Sequence, residues 1–436
     1  MCYIYYHRVH YGNDGTELKL TKSEEIASGI LERIRSGELA GKLPAEQELA
    51  RKCRVSPVTA AKALNILRDQ GVVKRIAGRG TFVVRPEKQV VRIMFNGYFA
   101  RKLFPVLAAH FPDVEVEEVH SMDDADAVVL PTTMPFFPGE YFLPWPQERI
   151  DRLRAEGKLF PQIFEFHNAR GAVWGLPYLF SPNILFYNKK VMRQIAPWFE
   201  PYKFTFDGLL ALQRVLPENM TLLAGNGSHL LLALIYDIAG DGSAGPDVFK
   251  QAVEMLSCID FEQKYSRFIE QKALFAIGYR SMSRSIGEDF DIAPLPLFNG
   301  RRACHASSEV LMVRNTTRHA DLLFDMAESL FRPDIQKIIG SLKMGIPADA
   351  AAAAETLDSS VLRDDIFLNE VRHIDYAHRY MADSVCLCFS TAIKRLVSGG
   401  LMPEEFLREV EESYRFEEKR RMALNAYMVN SAAVDF

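Results

Sequence analysis

Apolar residues near the start of the chain recur with the period of a helix rather than that of a strand. Ile26, Ile30 and Ile34 follow one another every four residues. Thr21, ahead of them, is a residue type that begins helices. This spacing predicts an amphipathic helix over residues 22–36.

Two further helices are predicted close behind the first. The segment LPAEQELARKC begins a short helix after Pro44, and the phrase RVS forms a tight turn. Ser56 is a residue type that caps helices, and Pro57 suits the first helical position, where a missing backbone N–H has no consequence. Small and apolar residues then recur at helical spacing until just before Gly71. The pattern is that of a helix-turn-helix.

Beyond the third helix, helical spacing gives way to alternation. The segment VVKRIAGRGTFVV places alternating apolar residues on both sides of Gly78 and Gly80, which predicts a two-stranded wing. Three helices followed by a wing predict a winged helix-turn-helix, which contacts DNA through the third helix and the wing. The residues predicted to contact DNA are Ser56, Pro57, Thr59, Lys62, Lys74, Arg75, Arg79 and Gly80.

The next part of the chain alternates strands with helical stretches. The segments QVVRIMFNGYF, VEVEEV and ADAVVL are predicted strands, the first ending at Asn96 and the third at Pro131. Such alternation predicts an α/β domain with mainly parallel strands, whose ligands gather at strand ends.

Charge divides the chain in the same way. The 436 residues are enough for about three domain-sized units and carry a formal net charge of -4. Residues 18–86 hold 14 Lys and Arg against 7 Asp and Glu, a charge of +7, which leaves -11 for the rest. We therefore predict a basic DNA-binding domain over residues 18–86 and a larger acidic domain over 91–436. A winged helix used only for protein contacts is the less favoured interpretation, because basic residues favour phosphate contact.

The remaining composition is that of an ordinary globular protein. No apolar run is long enough to span a bilayer, and the N-terminus lacks the features of an export signal, so we expect a cytoplasmic protein without membrane contact. Cys386 and Cys388 form a lone CxC, which favours a packed helix over a metal site. We expect no metal and no cofactor.

The wording of the basic segment carries a specific resemblance. SGELAGKLPAEQELARKCRVSPVTAAKALNILRDQGVVKRIAGRGTFVV resembles the GntR family of bacterial transcription regulators, and the match covers residues 22–84 almost continuously. The resemblance implies binding to operator DNA. Family members usually carry arginines where this chain has Pro57 and Ala61, so two expected DNA contacts are absent. Because one such head makes few base contacts, we expect a homodimer on a palindromic operator.

Motifs in the rest of the chain resemble the sugar-type solute-binding proteins of ABC importers. In order they are WGLPYLFSPNILFYNKKVM, QKALFAIGYRSM, DFDIAPLPLFNG, SSEVLMVRNTTRHADLLFDMAESLF and GIPA. The resemblance begins near Val91 and is strongest between Trp174 and Ala348. It implies a two-lobed α/β body of the periplasmic-binding-protein-like (type 2) class. Two departures bear on the ligand: the region after the first strand is compressed, and Ser307 and Ser308 stand where glycines are common.

The same resemblance implies a ligand cleft between the lobes. Carboxylate, amide and guanidinium groups beside aromatic rings suit a sugar, whose hydroxyls need polar partners and whose ring face packs on an aromatic side chain. The residues expected in the cleft are Asn96, Tyr98, Asp126, Trp145, Trp174, Tyr178, Tyr279, Arg280, Ser307 and Glu309.

A receptor body joined to a DNA-binding head predicts a transcription regulator that senses a small molecule, with a carbohydrate as the expected effector. Two alternatives stay open: a pyridoxal-phosphate-dependent, aminotransferase-like regulator, and a DNA-binding protein whose body only dimerises. We expect no enzymatic activity, because the sequence has no phosphate-binding glycine loop, HExxH motif or nucleophile elbow. His167, His305 and His319 are expected at the surface or in capped loops.

Overall fold

The computed structural model describes most of the chain and divides it into two compact units. The described residues are 21–35, 38–84, 88–97, 99–131, 141–169, 171–240, 244–262, 264–360, 362–375 and 383–432. One unit contains Met1–Val90 together with Ala108–Val116, and the other contains Val91–Leu107 together with Glu117–Phe436. The predicted domain bounds, 18–86 and 91–436, stay a proposal.

The first unit begins with the predicted head. Its elements are α1 (Lys22–Arg35), α2 (Glu46–Cys53), α3 (Pro57–Asp69), β1 (Val73–Ile76) and β2 (Gly80–Val83). Thr21 and Glu24 cap α1 reciprocally, since the Thr21 N–H donates to the Glu24 carboxylate at 2.7 Å and the Glu24 N–H lies 3.4 Å from the Thr21 hydroxyl. The three helices, the turn and the wing all form as predicted.

The head core is small and continuous. α3 supplies four of its most buried side chains: Ala60, Ala63, Leu64 and Leu67, each no more than 1% exposed. They pack with residues of α1, α2, β1 and the segment before α2, namely Ala27, Ile30, Leu43, Leu49, Ala50 and Val73. The small residues of α3 therefore let the helices approach closely while its other face stays in solvent.

The second unit has two lobes, each built on its own sheet. The elements of lobe 1 are β3 (Gln89–Phe95), α4 (Ala100–Ala108), β4 (Val114–Val119), β5 (Ala127–Pro131), α5 (Gln147–Glu156), β6 (Asn168–Ala169), β7 (Ala172–Val173), β8 (Pro177–Pro182), β14 (Ala306–Val313), α11 (Ala320–Ser329), α12 (Pro333–Ser341), β15 (Ile346–Pro347) and α13 (Ala350–Glu355). The start of β3 and the segment Ala108–Val116 are counted with the first unit. Its sheet has the strand order β15-β8-β14-β5-β3-β4.

Lobe 2 is inserted between β8 and β14. Its elements are β9 (Ile184–Asn188), α6 (Lys189–Ile195), α7 (Phe206–Gln213), β10 (Thr221–Ala224), α8 (Ser228–Ala239), α9 (Pro246–Ser257), β11 (Phe261–Glu262), α10 (Ser266–Ile269), β12 (Ala273–Gly278) and β13 (Phe290–Ala293), with the later helices α14 (Asp365–Glu370), α15 (Asp383–Val397) and α16 (Pro403–Ala432). Its sheet has the order β11-β10-β12-β9-β13. Residues of α15 and of the first part of α16 join the lobe 2 core, so both helices pack on this lobe.

Both sheets are mixed, which corrects the expectation of mainly parallel strands. β3 pairs with β5 and β10 with β12 in parallel, but β14 runs antiparallel to β5 and β8, and β9 runs antiparallel to β12 and β13. β9 and β14 are the strands that follow the chain's passages between lobes. The alternation of strands and helices along the sequence carries no information about this reversal.

Cys386 and Cys388 lie in α15, as the helix interpretation predicted. None of the described helices is both long enough and apolar enough to cross a membrane.

Candidate functional site

The recognition helix α3 begins with a side-chain cap that fixes its first turn. Ser56 Oγ accepts a hydrogen bond from the Thr59 backbone N–H at 3.1 Å, and the two hydroxyl oxygens lie 2.9 Å apart. Pro57 occupies the first position, as predicted. Both hydroxyls are thus engaged with each other, and Lys62 stands exposed one turn further along.

The wing tip presents one cation between two glycines. Gly78 and Gly80 have φ angles of 72° and 110°, a region that favours glycine over other residues. Arg79 lies exposed between them, and its N–H donates to the Ile76 carbonyl at 3.0 Å to close the turn. Lys74 is also exposed on β1. This arrangement can deliver a long cationic side chain to a phosphate or a minor groove.

Two further cations of the head have neighbours that the sequence did not predict. Arg75, predicted to contact DNA, forms an ion pair with Glu46 of α2. Lys42, which sequence analysis missed, pairs with Phe82 of the wing and places its Cε 3.0 Å from where a Cβ on Gly80 would stand. In the sequence Lys42 is simply a basic residue between Gly41 and the second helix. No local pattern predicts its contact with the wing, because Phe82 lies some 40 residues further along the chain.

The second candidate site lies where the chain passes between the lobes of the body. The passage after β8 and the passage before β14 run side by side: the Asn183 N–H donates to the His305 carbonyl at 2.8 Å, and Ser307 is paired with Ser181. The lobe 2 strands β10 and β12 are parallel and end at the same edge. We call the side chains gathered here the junction cluster: Asn183, His229, Tyr236, Tyr279, His305 and Ser307.

Tyr279 and His229 are in direct contact in this cluster. The Tyr279 hydroxyl lies 2.9 Å from His229 Nε2, and their ring centroids are 4.9 Å apart. Burial raises the pKa of the Tyr279 hydroxyl, while the nearby Ser307 and Asn183 side chains act in the opposite direction. The predicted cleft residues Tyr279 and Ser307 are therefore brought together.

The two histidines of the junction cluster are buried and near each other. Their rings lie 6.1 Å apart at an interplanar angle of 28°, and His305 Nδ1 is 3.4 Å from the Tyr236 hydroxyl. His305, 8% exposed, and His167, 6% exposed, lie in connecting segments, one of the two expected settings, but both are buried rather than at the surface. Their burial depends on the packing of the lobes around them, which no local pattern reveals.

His229 of the junction cluster is uncharged near neutral pH. Burial lowers the pKa of His229 to about 4, so its ring is neutral and Nε2 can accept a hydrogen bond from the Tyr279 hydroxyl. His229 Nδ1 has no hydrogen-bond partner within the described residues. Hydroxyl, amide and neutral imidazole groups of this kind suit a neutral polyhydroxylated ligand.

Sequence analysis did not place Asn183, His229, Tyr236 or His305 in the cleft. A signal for His229 was available: the phrase GNGSHL directly follows the apolar residues that form β10, and ligands of open α/β sheets gather beyond such strand ends. Asn183 gave no signal, because its importance comes from its place between β8 and β9.

Tyr178 and Glu309 form a second pair, within lobe 1. The Tyr178 hydroxyl donates to Glu309 Oε2 at 2.7 Å, and the Phe99 backbone N–H donates to Glu309 Oε1 at 2.9 Å. A Cβ on Gly97 would stand 2.8 Å from this carboxylate. Asn96, at the end of β3, is exposed. Tyr178 is fully buried, so the pair does not face solvent. It holds the loop after β3 in place instead.

Arg280 is 1% exposed and bonded on every side. Its guanidinium pairs with Asp364, with Nη2 at 2.7 Å from Oδ2, and the remaining N–H groups reach backbone carbonyls. Those acceptors are the carbonyls of Gly340, Gly345 and Thr356. All five donors of the side chain are used within the fold. The expectation that Arg280 meets a ligand is therefore not supported.

Three other expected cleft residues lie elsewhere. Trp145 packs edge-on against Phe324, and Trp174 belongs to a buried lobe 1 cluster, so both tryptophans are core residues here. Asp126 precedes β5, at the amino end of the strand, where it accepts from Thr317 at 2.7 Å. Ligands gather at carboxyl ends, so Asp126 stands at the wrong end of its strand. Tyr98 lies outside the described residues.

Comparison with known proteins identifies the head. Residues 22–83 match the family model described as bacterial regulatory proteins, gntR family. Over 82 residues the chain is 35% identical to the uncharacterized HTH-type transcriptional regulator YurK of Bacillus subtilis (strain 168), a match that covers 19% of this chain. The chain spans 31% of that relative's length. The head is a GntR-type winged helix-turn-helix.

The rest of the chain is similar in structure to sugar-binding receptors. The ABC substrate-binding protein Lmo0181 from Listeria monocytogenes, solved in complex with cycloalternan, has a TM-score of 0.60 at 12% sequence identity. The match covers 76% of this chain and 99% of the Lmo0181 chain. The sugar-binding protein MalE from Xanthomonas citri has a TM-score of 0.60 at 16% identity, covering 77% and 99%. A solute-binding protein from Thermotoga lettingae bound to alpha-D-tagatose gives 0.59 at 16% identity, covering 75% and 99%. The body has the two-lobed solute-binding-protein fold.

Proposed function

We propose that this protein is a ligand-responsive transcription regulator that binds operator DNA as a homodimer and senses a neutral carbohydrate at the junction cluster. One observation carries the proposal: a GntR-type head and a solute-binding body lie in one chain, and the body holds a cluster of hydroxyl, amide and imidazole groups between its lobes. Ligand binding there would change how the lobes sit and thereby DNA affinity.

The two alternatives differ in their support. An aminotransferase-like regulator requires a pyridoxal-phosphate fold, whereas the body has the solute-binding fold instead. A body that only dimerises would have no use for a polar cluster between its lobes, and the experiment below separates it from a sensor.

A thermal-shift screen of the full chain against mono- and oligosaccharides tests the sensor. A sugar at 100 times its dissociation constant adds about 2.7 kcal/mol to the free energy of unfolding. Tyr279→Ala removes the hydroxyl beside His229, so we expect it to lose the shift while binding DNA normally without sugar. Tyr202→Ala, which truncates another partly exposed tyrosine of lobe 2, is the matched control.

Failure of every sugar together with binding of an amino acid or peptide would replace the ligand class. Loss of DNA binding by a folded Tyr279→Ala protein would contradict the assignment of sensing and DNA binding to separate parts.

A further inference from the structure

The outward face of α3 is apolar where the helix begins. Val58, its second residue, is 65% exposed, the largest exposed fraction among the large apolar side chains of the part of the chain that the structure describes. The head core is built from the opposite face of α3, so the exposed Val58 side chain contributes nothing to it.

The polar groups nearest to Val58 are turned toward each other. The hydroxyls of Ser56 and Thr59 lie 2.9 Å apart, and Ser56 also accepts the Thr59 N–H. Ala61 and Lys62 follow Val58 by three and four residues, so they share its side of the helix. The first turn of α3 therefore presents methyl groups to solvent. Positive charge follows on the same face at Lys62, one turn later.

The positive charges around Val58 indicate a partner that is a nucleic acid rather than another protein. Lys62 stands on the same face, and the wing adds the exposed side chains of Lys74 and Arg79. These cations suit phosphates on either side of a groove, and phosphate contacts fix the position of a head on the duplex. Sequence is then read by the residues at the front of the helix.

We propose that Val58 is a specificity-determining residue that reads the 5-methyl group of a thymine in the major groove. The thymine methyl is the one apolar group on the base edges exposed there, and an apolar side chain without donors or acceptors selects it by contact alone. This inference rests on the proposed DNA-binding function and adds to it a preference for thymine at one position of each half-site.

The experiment removes the methyl group from the DNA without changing base pairing. Duplexes that bind the full-length protein are selected from a random pool, and each thymine of the selected site is then replaced, one at a time, by deoxyuridine. Dissociation constants are measured at one fixed salt concentration for the parent, Val58→Ala and Val215→Ala. Val215 is a valine of the body with 57% exposure and serves as the matched control.

We expect one thymine in each half-site whose replacement weakens parent binding about fourfold, the factor expected for one buried methyl-sized group. Val58→Ala should bind the thymine site about fourfold more weakly and bind thymine and deoxyuridine equally there. Val215→Ala should behave as the parent.

Two results overturn the inference alone: parent binding that no deoxyuridine substitution weakens, and a Val58→Ala protein that keeps the full preference for thymine. If no duplex binds at physiological salt, the proposed function falls together with the inference.

Discussion

At the residue scale, Arg280 and Asp364 form a charge pair that is entirely inside the fold. Both side chains are 1% exposed, and the arginine also bonds three backbone carbonyls. Taking two charges out of water is unfavourable unless they are paired and fully hydrogen-bonded, as they are here. The pair joins the end of β12 to the segment after α13, so it orders two distant parts of the chain.

We predict that Arg280→Ala lowers the free energy of unfolding of the body by about 3–5 kcal/mol, because it leaves the Asp364 carboxylate buried without its partner. Arg280→Met combined with Asp364→Leu should recover much of this loss. Arg92→Ala is the control, since Arg92 pairs with Glu117 at half-exposed positions where ion pairs contribute about 0–1 kcal/mol. Urea unfolding measures all three, and equal stability of Arg280→Ala and parent would contradict the argument.

A second residue-scale prediction concerns Arg79 at the wing tip. Arg79→Ala should weaken DNA binding by about 1–3 kcal/mol, because a long cation held between two glycines loses its contact with DNA. Arg408→Ala, which removes an exposed arginine of α16, controls for total charge. Gel shifts at physiological salt measure both variants, and unchanged binding of Arg79→Ala would exclude Arg79 from the interface.

At the scale of elements, α8 carries two buried titratable groups whose pKa values move in opposite directions. Burial lowers the pKa of His229 to about 4. Burial raises the pKa of Asp237 to about 7, although the Ala303 backbone and Arg301 act against this rise. Around pH 5.5 the unfolded histidine binds a proton that the folded one lacks, and the folded aspartate holds a proton that the unfolded one has lost. The two contributions to the pH dependence of stability therefore cancel.

Removing either group should reveal the contribution of the other. In Asp237→Asn the free energy of unfolding should rise between about pH 4 and 6.5, by up to about 1.4 kcal/mol per pH unit, because only the histidine remains. In His229→Gln it should fall from about pH 4 to 7. Urea unfolding at several pH values measures both slopes. Parallel pH profiles for the parent and both variants would contradict the pKa assignments.

The sequence predicted a feature well when the residues that determine it lie close together along the chain. The cap of α3, the wing glycines and the period of Ile26 and Ile30 are set by residues a few positions apart, so the head could be predicted element by element. Trp174 and Arg280 were misjudged because a tryptophan or arginine suits a cleft and an interior equally, and packing decides between them. Asp364, the partner of Arg280, lies 84 residues away, a separation that no local pattern reports.

At the scale of the whole molecule, the chain combines a small basic head with a larger acidic body. We predict that two chains bind one duplex, because a palindrome read by a two-fold dimer doubles the few base contacts that a single head makes. The mass of the complex with a selected operator should equal two chains and one duplex. A duplex carrying one half-site serves as the comparison and should bind more weakly. Footprinting that shows one asymmetric half-site under one chain would contradict the prediction.

The position of β14 has a consequence for synthesis on the ribosome. This strand lies between β8 and β5 in the lobe 1 sheet, yet its residues come after all of β9 to β13. Lobe 1 cannot place β14 between β8 and β5 until residue 313 has emerged, whereas the wing, the last element of the head, ends at Val83. At about 5–20 residues per second, the roughly 230 residues between these points take about 10–50 s to translate. We therefore expect each new chain to carry a folded DNA-binding head for many seconds before its receptor can respond to any effector.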